Sequence, residues 1–152
     1  MHTRVSSFLL TTAGFLVSSC LTCSNVDCLG SDYTVYFSIV SATTGKNLVF
    51  GPDKLYRKEK IRFYTLRGSD TIVLDYKAAP PLNSRDSVLQ VYFYPKTGVA
   101  YMQLNSRDTD TLSISYNTST TKCCGTNTEI TNLRFNDKID IPGNRGTQKI
   151  KK

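Results

Sequence analysis

The chain has 152 residues, a formal net charge of +7 and a hydrophobic fraction of 39%. That length suits a single domain, and nine Tyr and seven Phe side chains can fill its core in the absence of Trp. Its one histidine, His2, lies at the extreme N-terminus, which excludes nucleophilic sites with a His base and His-ligated zinc from the domain that follows.

The first nineteen residues have the layout of a secretory signal peptide. Arg4 supplies a positive charge, and residues 8–17 form an apolar run that is too short for a bilayer span of roughly 20 residues. The run ends in Val-Ser-Ser-Cys at residues 17–20, which resembles the lipobox of bacterial lipoprotein precursors. The resemblance implies a signal peptide over residues 1–19, cleavage before Cys20, and acylation of Cys20 with chains such as palmitate that anchor the protein to a membrane. An ordinary cleaved signal peptide with an incidental cysteine is the alternative.

Five cysteines are an odd number for an exported protein, and a lipid on Cys20 would account for one of them. Export places the other four in an oxidising compartment, where cysteines pair. Adjacent cysteines bridge each other only with backbone strain. Two disulfides are therefore expected between an early pair and a late pair: Cys23 and Cys28 with Cys123 and Cys124. The sequence leaves open which early cysteine joins which late one. A zinc site is a weaker alternative, because gaps of four residues and none between ligands fit a tetrahedron poorly.

Residues 20–32 have little apolar content and are predicted to form a cysteine-containing tether. From residue 33 onward, short alternating segments recur between turn signals, which is typical of an antiparallel β-sandwich of immunoglobulin-like or related type. The all-β domain is predicted to cover residues 33–142, and the basic residues 143–152 are predicted to be disordered. The Ala-Ala-Pro-Pro run at 78–81 is expected to cross between the sheets, because proline lacks the N–H of a strand ladder. Strands are expected at 33–39, 48–50, 61–64, 72–76, 88–94, 99–104, 112–116, 129–135 and 139–141.

Four tyrosines fall on the strand phase opposite the aliphatic residues, namely Tyr36, Tyr64, Tyr92 and Tyr94. If those strand faces meet solvent, the rings would form an aromatic platform that stacks on sugar rings or anchors a protein partner. The alternative is that loops cover the outer face of the sheet and the tyrosines fill a half-hydrated layer.

Basic residues cluster in one stretch, at Lys54, Arg57, Lys58, Lys60, Arg62 and Arg67. Such a patch could attract anionic lipid headgroups, lipopolysaccharide or acidic polysaccharide by its charge. The favoured interpretation is a charged edge strand, since lysine and arginine discourage aggregation through strand edges.

Oxygen-bearing side chains at Asn105, Asp108 and Asp110 could hold calcium. Their spacing matches no EF-hand loop, so a solvated turn is the favoured interpretation. Neither a metal site nor a cofactor is therefore predicted.

A second resemblance lies at residues 45–52, whose sequence is GKNLVFGP. This segment is similar to one found in small outer-membrane lipoproteins of Gram-negative bacteria, which likewise have a cysteine-rich stretch after the lipidated cysteine and a late strand with cysteines. The resemblance implies a β-sandwich lipoprotein but carries over no activity and no binding residues. Leu21 rather than Asp follows Cys20, which by resemblance to Gram-negative sorting rules favours the outer membrane.

We therefore expect a membrane-anchored envelope lipoprotein with a non-catalytic binding or structural role and no catalytic residues. An envelope protein or a glycan is the expected partner, and nucleic acid is not expected for an exported protein. The alternative is a small hydrolase or an enzyme inhibitor of the cell envelope, since a pair of carboxylates suffices for some hydrolases. The twelve Asp and Glu residues are scattered, however, and no motif pairs them.

Overall fold

A computed structural model describes residues 23, 26–28, 30–80, 87–142 and 146–152. The predicted signal peptide and Cys20 lie outside these residues. In the described part of the chain, no helix is long and apolar enough to cross a bilayer.

The described chain forms two β-sheets that pack face to face. The strands are β1 (Thr34–Val40), β2 (Arg62–Arg67), β3 (Asp70–Val73), β4 (Tyr76–Ala79), β5 (Val88–Tyr92), β6 (Val99–Asn105), β7 (Asp108–Thr121), β8 (Gly125–Phe135), β9 (Ile139–Pro142) and β10 (Thr147–Lys151), and a 3-10 turn (Lys58–Lys60) precedes β2. The first sheet has the order β10-β1-β5-β4, and the second has the order β3-β2-β6-β7-β8-β9. Every pair is antiparallel except β1 with β10. The predicted all-β sandwich is confirmed.

The core lies between the two sheets, because alternate side chains of each strand point inward. In β1, Val35, Phe37 and Ile39 are at most 1% exposed, whereas the residues between them are half-buried. Phe37 stacks on Phe63 of the second sheet, with ring centroids 5.9 Å apart. Among the described residues, the buried apolar core is built from the range 35–150. The core of the sandwich is therefore packed without the residues up to Asp32, which we name the N-terminal segment.

The C-terminal residues predicted to be disordered form a strand instead. β10 pairs in parallel with β1 and places Ile150 beside Ile39. Gln148 and Ile150 are buried, while the lysines that alternate with them face solvent. The prediction of disorder is wrong for this strand, because a period-two pattern with lysines on its outer face matches an edge strand. Residues 143–145 lie outside the described part of the chain.

The strand predicted at residues 48–50 is absent from the described fold, and these residues belong to the loop between β1 and β2, where Leu48 and Val49 are buried. Asn47 Oδ1 accepts the backbone N–H groups of Val49 and Phe50, each at 2.9 Å. These bonds satisfy backbone groups that a neighbouring strand would otherwise have to pair. The loop can therefore bury Leu48 and Val49 without entering a sheet.

The crossing between the sheets occurs earlier than the proline run indicates. The chain leaves the second sheet after β3 and enters the first sheet at Tyr76, so residues 74–75 make the crossing. Ala78 and Ala79, expected in the crossing, belong to β4 at the edge of the first sheet. Proline after an edge strand removes no ladder bond that the sheet needs.

The polar stretch at residues 118–121, predicted to follow the end of a strand, is part of β7. Two pairs of threonine hydroxyls lie 3.1 Å apart across the hairpin of β7 and β8: Thr118 with Thr128, and Thr120 with Thr126. β-Branched side chains favour extended backbone even where every side chain is polar. The polarity of this stretch therefore indicates solvent exposure and not a loop.

The hairpin of β7 and β8 extends beyond the rest of the second sheet. The pairing of β6 with β7 starts only where Val99 lies opposite Ser113, whereas β7 continues to Thr121. We name the projecting part of the hairpin, residues 117–129, the arm.

Candidate functional site

Two disulfides attach the N-terminal segment to the tip of the arm. Cys23 bonds to Cys123 and Cys28 to Cys124, with Cα atoms 5.4 and 5.3 Å apart. The expected pairing of the early cysteines with the late ones is confirmed. The structure also decides the connectivity that the sequence leaves open.

The described residues just before β1 run along the edge of the arm. Ser31 Oγ accepts the backbone N–H of Thr128 at 3.0 Å, and Asp32 forms a parallel β-bridge with Glu129. The prediction of a tether over residues 20–32 is therefore corrected at its C-terminal end, which is attached to β8. The reason is that an edge strand offers unpaired backbone groups to any chain that lies beside it.

Tyr36 and Tyr92 share the outer face of the first sheet. Tyr36 lies opposite Gln90 and Tyr92 lies opposite Thr34 in the pairing of β1 with β5, and residues directly opposite one another point to the same face. Tyr36 is half-buried and Tyr92 is 42% exposed. Tyr94 follows β5 and contacts Tyr92 edge to face, with centroids 6.1 Å apart. These three tyrosines therefore lie on or beside one surface.

Tyr64 lies on the opposite side of the molecule. It belongs to β2 in the second sheet, where its ring stacks on Tyr101 of β6 at 5.1 Å. The single platform expected from the sequence is thus divided between the two outer faces, because alternation within a strand does not specify which sheet the strand joins. Tyr101, which the sequence analysis does not single out, offers a control position for truncating a tyrosine.

A groove of about 280 Å³ opens beside Tyr92, and we name it the tyrosine groove. Its lining residues are Thr34, Asp75, Tyr76, Lys77, Gln90 and Tyr92. The ring of Tyr92 is held by edge-to-face contacts with Tyr33 and Tyr94, each at 6.1 Å. Tyr33 contacts Tyr116 in turn. Burial and the neighbouring Tyr33 raise the pKa of Tyr116 to about 12, so this supporting ring stays neutral at physiological pH.

The tyrosine groove combines an aromatic face with free hydrogen-bonding groups. The side chains of Asp75, Lys77 and Gln90 form no hydrogen bond or ion pair with any other residue that the structure describes. They supply an acceptor, a donor and an amide that does both. A ring with apolar faces and a hydroxylated rim could stack on Tyr92 and bond to these groups. The arrangement suits a sugar.

The predicted basic cluster divides between a loop and a strand. Three of its members, Lys54, Arg57 and Lys58, line a groove of about 540 Å³ before β2, which we name the basic groove. Lys60 and Arg62 follow it, whereas Arg67 lies at the far end of β2. The favoured interpretation of a charged edge strand is wrong, because β2 is flanked by β3 and β6.

Lys152 joins the two sheets through a buried ion network. Its Nζ lies 2.6 Å from Asp108 Oδ1 and 2.5 Å from Asp110 Oδ2. Tyr56 donates its hydroxyl to Asp108 at 2.7 Å, and Asn136 donates its side-chain amide to Asp110 at 2.8 Å. The prediction of a solvated turn is wrong for Asp110, which is only 3% exposed. It is right for Asn105, which is exposed at the turn before β7 and whose Oδ1 accepts the backbone N–H of Arg107 at 2.8 Å. We name Tyr56, Asp108, Asp110, Asn136 and Lys152 the Lys152 network.

Sequence reasoning misses this network because Lys152 lies 44 residues from Asp108. A signal is nevertheless present in the sequence. Asp110 alternates in β7 with the same spacing as Leu112 and Ile114, so it points to the same buried face of the strand. A carboxylate on a buried face is costly unless a cation compensates its charge. Lys152 supplies that cation to Asp110 and also contacts Asp108.

The Lys152 network has a defined dependence on pH. Burial raises the pKa of Asp108, but hydrogen bonds from Lys152 and Tyr56 outweigh burial and hold the pKa below its ordinary value of 3.8. Burial lowers the pKa of Lys152, but its bonds to the two aspartates outweigh burial and hold the pKa above 10.5. The contribution of Asp108 to stability is present above pH 3.8 and is lost as the pH falls through the folded pKa. The contribution of Lys152 is present below pH 10.5 and is lost as the pH rises through the folded pKa.

We expect the free energy of unfolding to be highest between about pH 5 and 9 and to decline outside that range. Urea denaturation at a series of pH values measures this. In an Asp108→Asn variant, the decline on the acid side should be shallower than in the wild-type protein, because one carboxylate with a lowered pKa is gone. Identical acid declines in the two proteins would contradict the role of Asp108.

Comparisons of the chain with known protein families, with curated proteins and with solved structures find no match. Function is therefore inferred from the chemistry of the tyrosine groove, the basic groove and the disulfide-bonded arm.

Proposed function

We propose that this protein is a lipid-anchored envelope protein that binds a glycan, without catalysis, through the tyrosine groove. The observation that carries the binding role is the exposed ring of Tyr92, which two other tyrosines hold in place. Beside it lie Asp75, Lys77 and Gln90, whose side chains have no hydrogen-bond partner in the described chain. A sugar ring would cover the aromatic face and bond to those groups at the same time.

The anchor is proposed at Cys20, where the lipobox resemblance lies. Cys20 is three residues before Cys23, which the disulfide holds at the tip of the arm. Since the described core is built from residues 35–150, a lipid on the N-terminal segment would leave the packing of the sandwich unchanged. Two or more acyl chains give stable attachment, at about 0.8 kcal/mol for each buried methylene. Leu21 supports placement in the outer membrane.

Intact mass of the protein extracted from membranes tests the anchor. The expected mass lacks residues 1–19 and includes acyl chains on Cys20. Treatment with reductant should add two hydrogens for each of the two disulfides. A Cys20→Ser control should lose the acyl mass and leave the membrane fraction. A full-length, unacylated wild-type chain recovered away from membranes would contradict the anchor.

Tyr92→Ala is expected to weaken the binding of short neutral oligosaccharides, such as N-acetylhexosamine oligomers, by about tenfold or more, or about 1.4 kcal/mol. The reason is the loss of the ring on which a sugar would stack. Isothermal titration calorimetry measures the affinity. Because the change also removes the contacts with Tyr33 and Tyr94, the thermal midpoint should fall by roughly 2–6 °C, so the affinity is measured well below that temperature.

Tyr101→Ala is the matched control, since it removes a tyrosine ring from the outer face of the opposite sheet. We expect it to bind the oligosaccharides as the wild-type protein does. Equal affinities of the Tyr92→Ala and wild-type proteins would exclude the tyrosine groove as the site. If the immobilised protein retains an envelope protein but binds no oligosaccharide, a glycan is excluded as the ligand of the tyrosine groove.

A further inference from the structure

The basic groove concentrates positive charge that no described residue neutralises by an ion pair. Lys54, Arg57 and Lys58 form no ion pair or side-chain hydrogen bond with any residue in the described ranges. Glu59 is the one acid among the described residues that line the groove. Nearby Asp53 is already paired, at 2.8 Å, with a lysine outside the groove. An anionic ligand would therefore meet three available cations.

The backbone that carries these cations is held from within the fold. The hydroxyl of Tyr76 lies 2.8 Å from the carbonyl oxygens of both Lys58 and Ile61. Tyr56, which lies between Lys54 and Arg57 in the chain, donates its hydroxyl to Asp108. Because the loop is fixed at both points, a ligand would not have to order it on binding.

The lining of the basic groove is partly apolar. The half-buried Phe50, which packs against the core, and the buried Val49 line it beside the cations. A sugar ring can lay its C–H face against the exposed part of Phe50. A carboxylate on that ring could then reach the rim, where the guanidinium of Arg57 can form two parallel hydrogen bonds with it.

The basic groove and the tip of the arm lie at opposite ends of the molecule. Tyr56, within the loop that bears the groove, is bonded to Asp108 at the start of β7. β7 ends at Thr121, next to the disulfides, and its 14 residues span about 40 Å at about 3.3 Å per residue. A bilayer that held the N-terminal lipid would lie at the arm, so the basic groove would face away from it. This last step alone rests on the proposed anchor.

We propose that the basic groove is a second binding site, which takes an acidic polysaccharide through the carboxylates of its sugar units. Phe50 would contact the sugar ring, and the three cations would bind the carboxylates. The site is separate from the tyrosine groove and does not require it.

Polygalacturonate oligomers are the probe, and neutral dextran of similar length is the comparison. In the Tyr92→Ala background, which removes the aromatic face of the tyrosine groove, isothermal titration calorimetry at several salt concentrations should show binding of the acidic oligomer and not of dextran. Log affinity should fall linearly as log salt rises. A triple variant is expected to lose about tenfold or more in affinity and to show a flatter salt dependence. Its changes are Lys54→Gln, Arg57→Gln and Lys58→Gln.

The matched control removes the same net charge, again from two lysines and one arginine, at exposed positions toward the arm end of the molecule, with Lys96→Gln, Lys122→Gln and Arg67→Gln. Its affinity should stay within about threefold of the wild-type value, because distant exposed charges are screened. Equal affinities of the two triple variants would overturn the proposal. Tyr92→Ala and Cys20→Ser should bind polygalacturonate normally, so failure of the tyrosine groove or of the anchor can be told apart from failure of this site.

Leu55 distinguishes a polysaccharide from a membrane surface. It is 68% exposed beside the basic groove and would insert into a bilayer bound there, so Leu55→Ser should weaken binding to anionic phospholipid vesicles but not to polygalacturonate. Tighter wild-type binding to such vesicles than to polygalacturonate, lost in Leu55→Ser, would overturn the proposal in favour of a membrane. Tighter binding to a single-stranded oligonucleotide would overturn it in favour of nucleic acid.

Discussion

Replacing Lys152 with methionine is expected to lower the free energy of unfolding by about 3–5 kcal/mol, because two carboxylates lose their cation. Asp110 is 3% exposed, and Lys152 Nζ contacts both Asp108 and Asp110. Methionine keeps most of the length of the lysine side chain, so the change removes charge with little loss of packing. For a chain of this size, the thermal midpoint should fall by roughly 6–15 °C. Urea denaturation and a thermal melt measure the two quantities.

Lys151→Met is the matched control, since Lys151 is the exposed neighbour in the same strand. Its effect should stay within about 0.5 kcal/mol. Adding Asp108→Asn and Asp110→Asn to Lys152→Met should restore part of the lost stability, because the buried charges are then removed together with their partner. If Lys152→Met and Lys151→Met are equally stable, the Lys152 network contributes nothing to the free energy of unfolding.

Removing both disulfides is expected to destabilise the protein by more than the sum of removing each one. Either bridge alone closes a loop with a sequence separation of 100 or 96 residues. Closing a loop of that length lowers the entropy of the unfolded chain and so stabilises the folded protein by about 4.7 kcal/mol. Once one bridge is present, the other closes only a small ring formed by residues 23–28 and 123–124, and it adds roughly 2 kcal/mol. Loss of one bridge should therefore cost about 2 kcal/mol, and loss of both about 6–7 kcal/mol.

The two single-bridge variants serve as controls for each other. One carries Cys23→Ser with Cys123→Ser, the other Cys28→Ser with Cys124→Ser, and they should be equally stable in urea denaturation under oxidising conditions. The variant with all four serines gives the combined loss. The combined loss in the free energy of unfolding could instead be no greater than the sum of the two single losses. That result would show that the bridges only hold the arm in place locally and do not restrict the unfolded chain.

The two proposed sites would let one domain hold two kinds of saccharide. The tyrosine groove offers an aromatic face for a neutral sugar, and the basic groove offers cations for an acidic one. Two covalent bonds at the tip of the arm keep the N-terminal segment from moving freely relative to the sandwich. A lipid on Cys20 would therefore restrict how the domain can turn at the membrane.

The strands that the sequence predicts well are those with the clearest alternation. In β1, Val35, Phe37 and Ile39 alternate with polar residues and Tyr36, and the structure buries these three side chains. This pattern depends only on the period of an extended chain, which is a local property. The pairing of early with late cysteines is also predictable, because adjacent cysteines rarely bridge each other.

The candidate site is less predictable, because its parts come from different strands. Alternation places Tyr92 and Tyr64 on outer faces, but only the strand order puts them on opposite sides of the molecule. The free polar groups beside Tyr92 come from β4, β5 and the crossing before β4. The basic groove depends on a loop that is packed in place by Tyr76 and Tyr56, and no local pattern indicates those contacts.

The amino-acid sequence alone determined the all-β class and the linkage of the two cysteine pairs, because both follow from the geometry of an extended chain and of neighbouring residues. The tertiary structure decided the connectivity of the disulfides, the parallel pairing of β10 with β1, and the burial of Asp110 beside Lys152. Each of these joins residues that are dozens of positions apart. Such contacts depend on how the strands are ordered in the sheets, and a periodic pattern carries no information about that order.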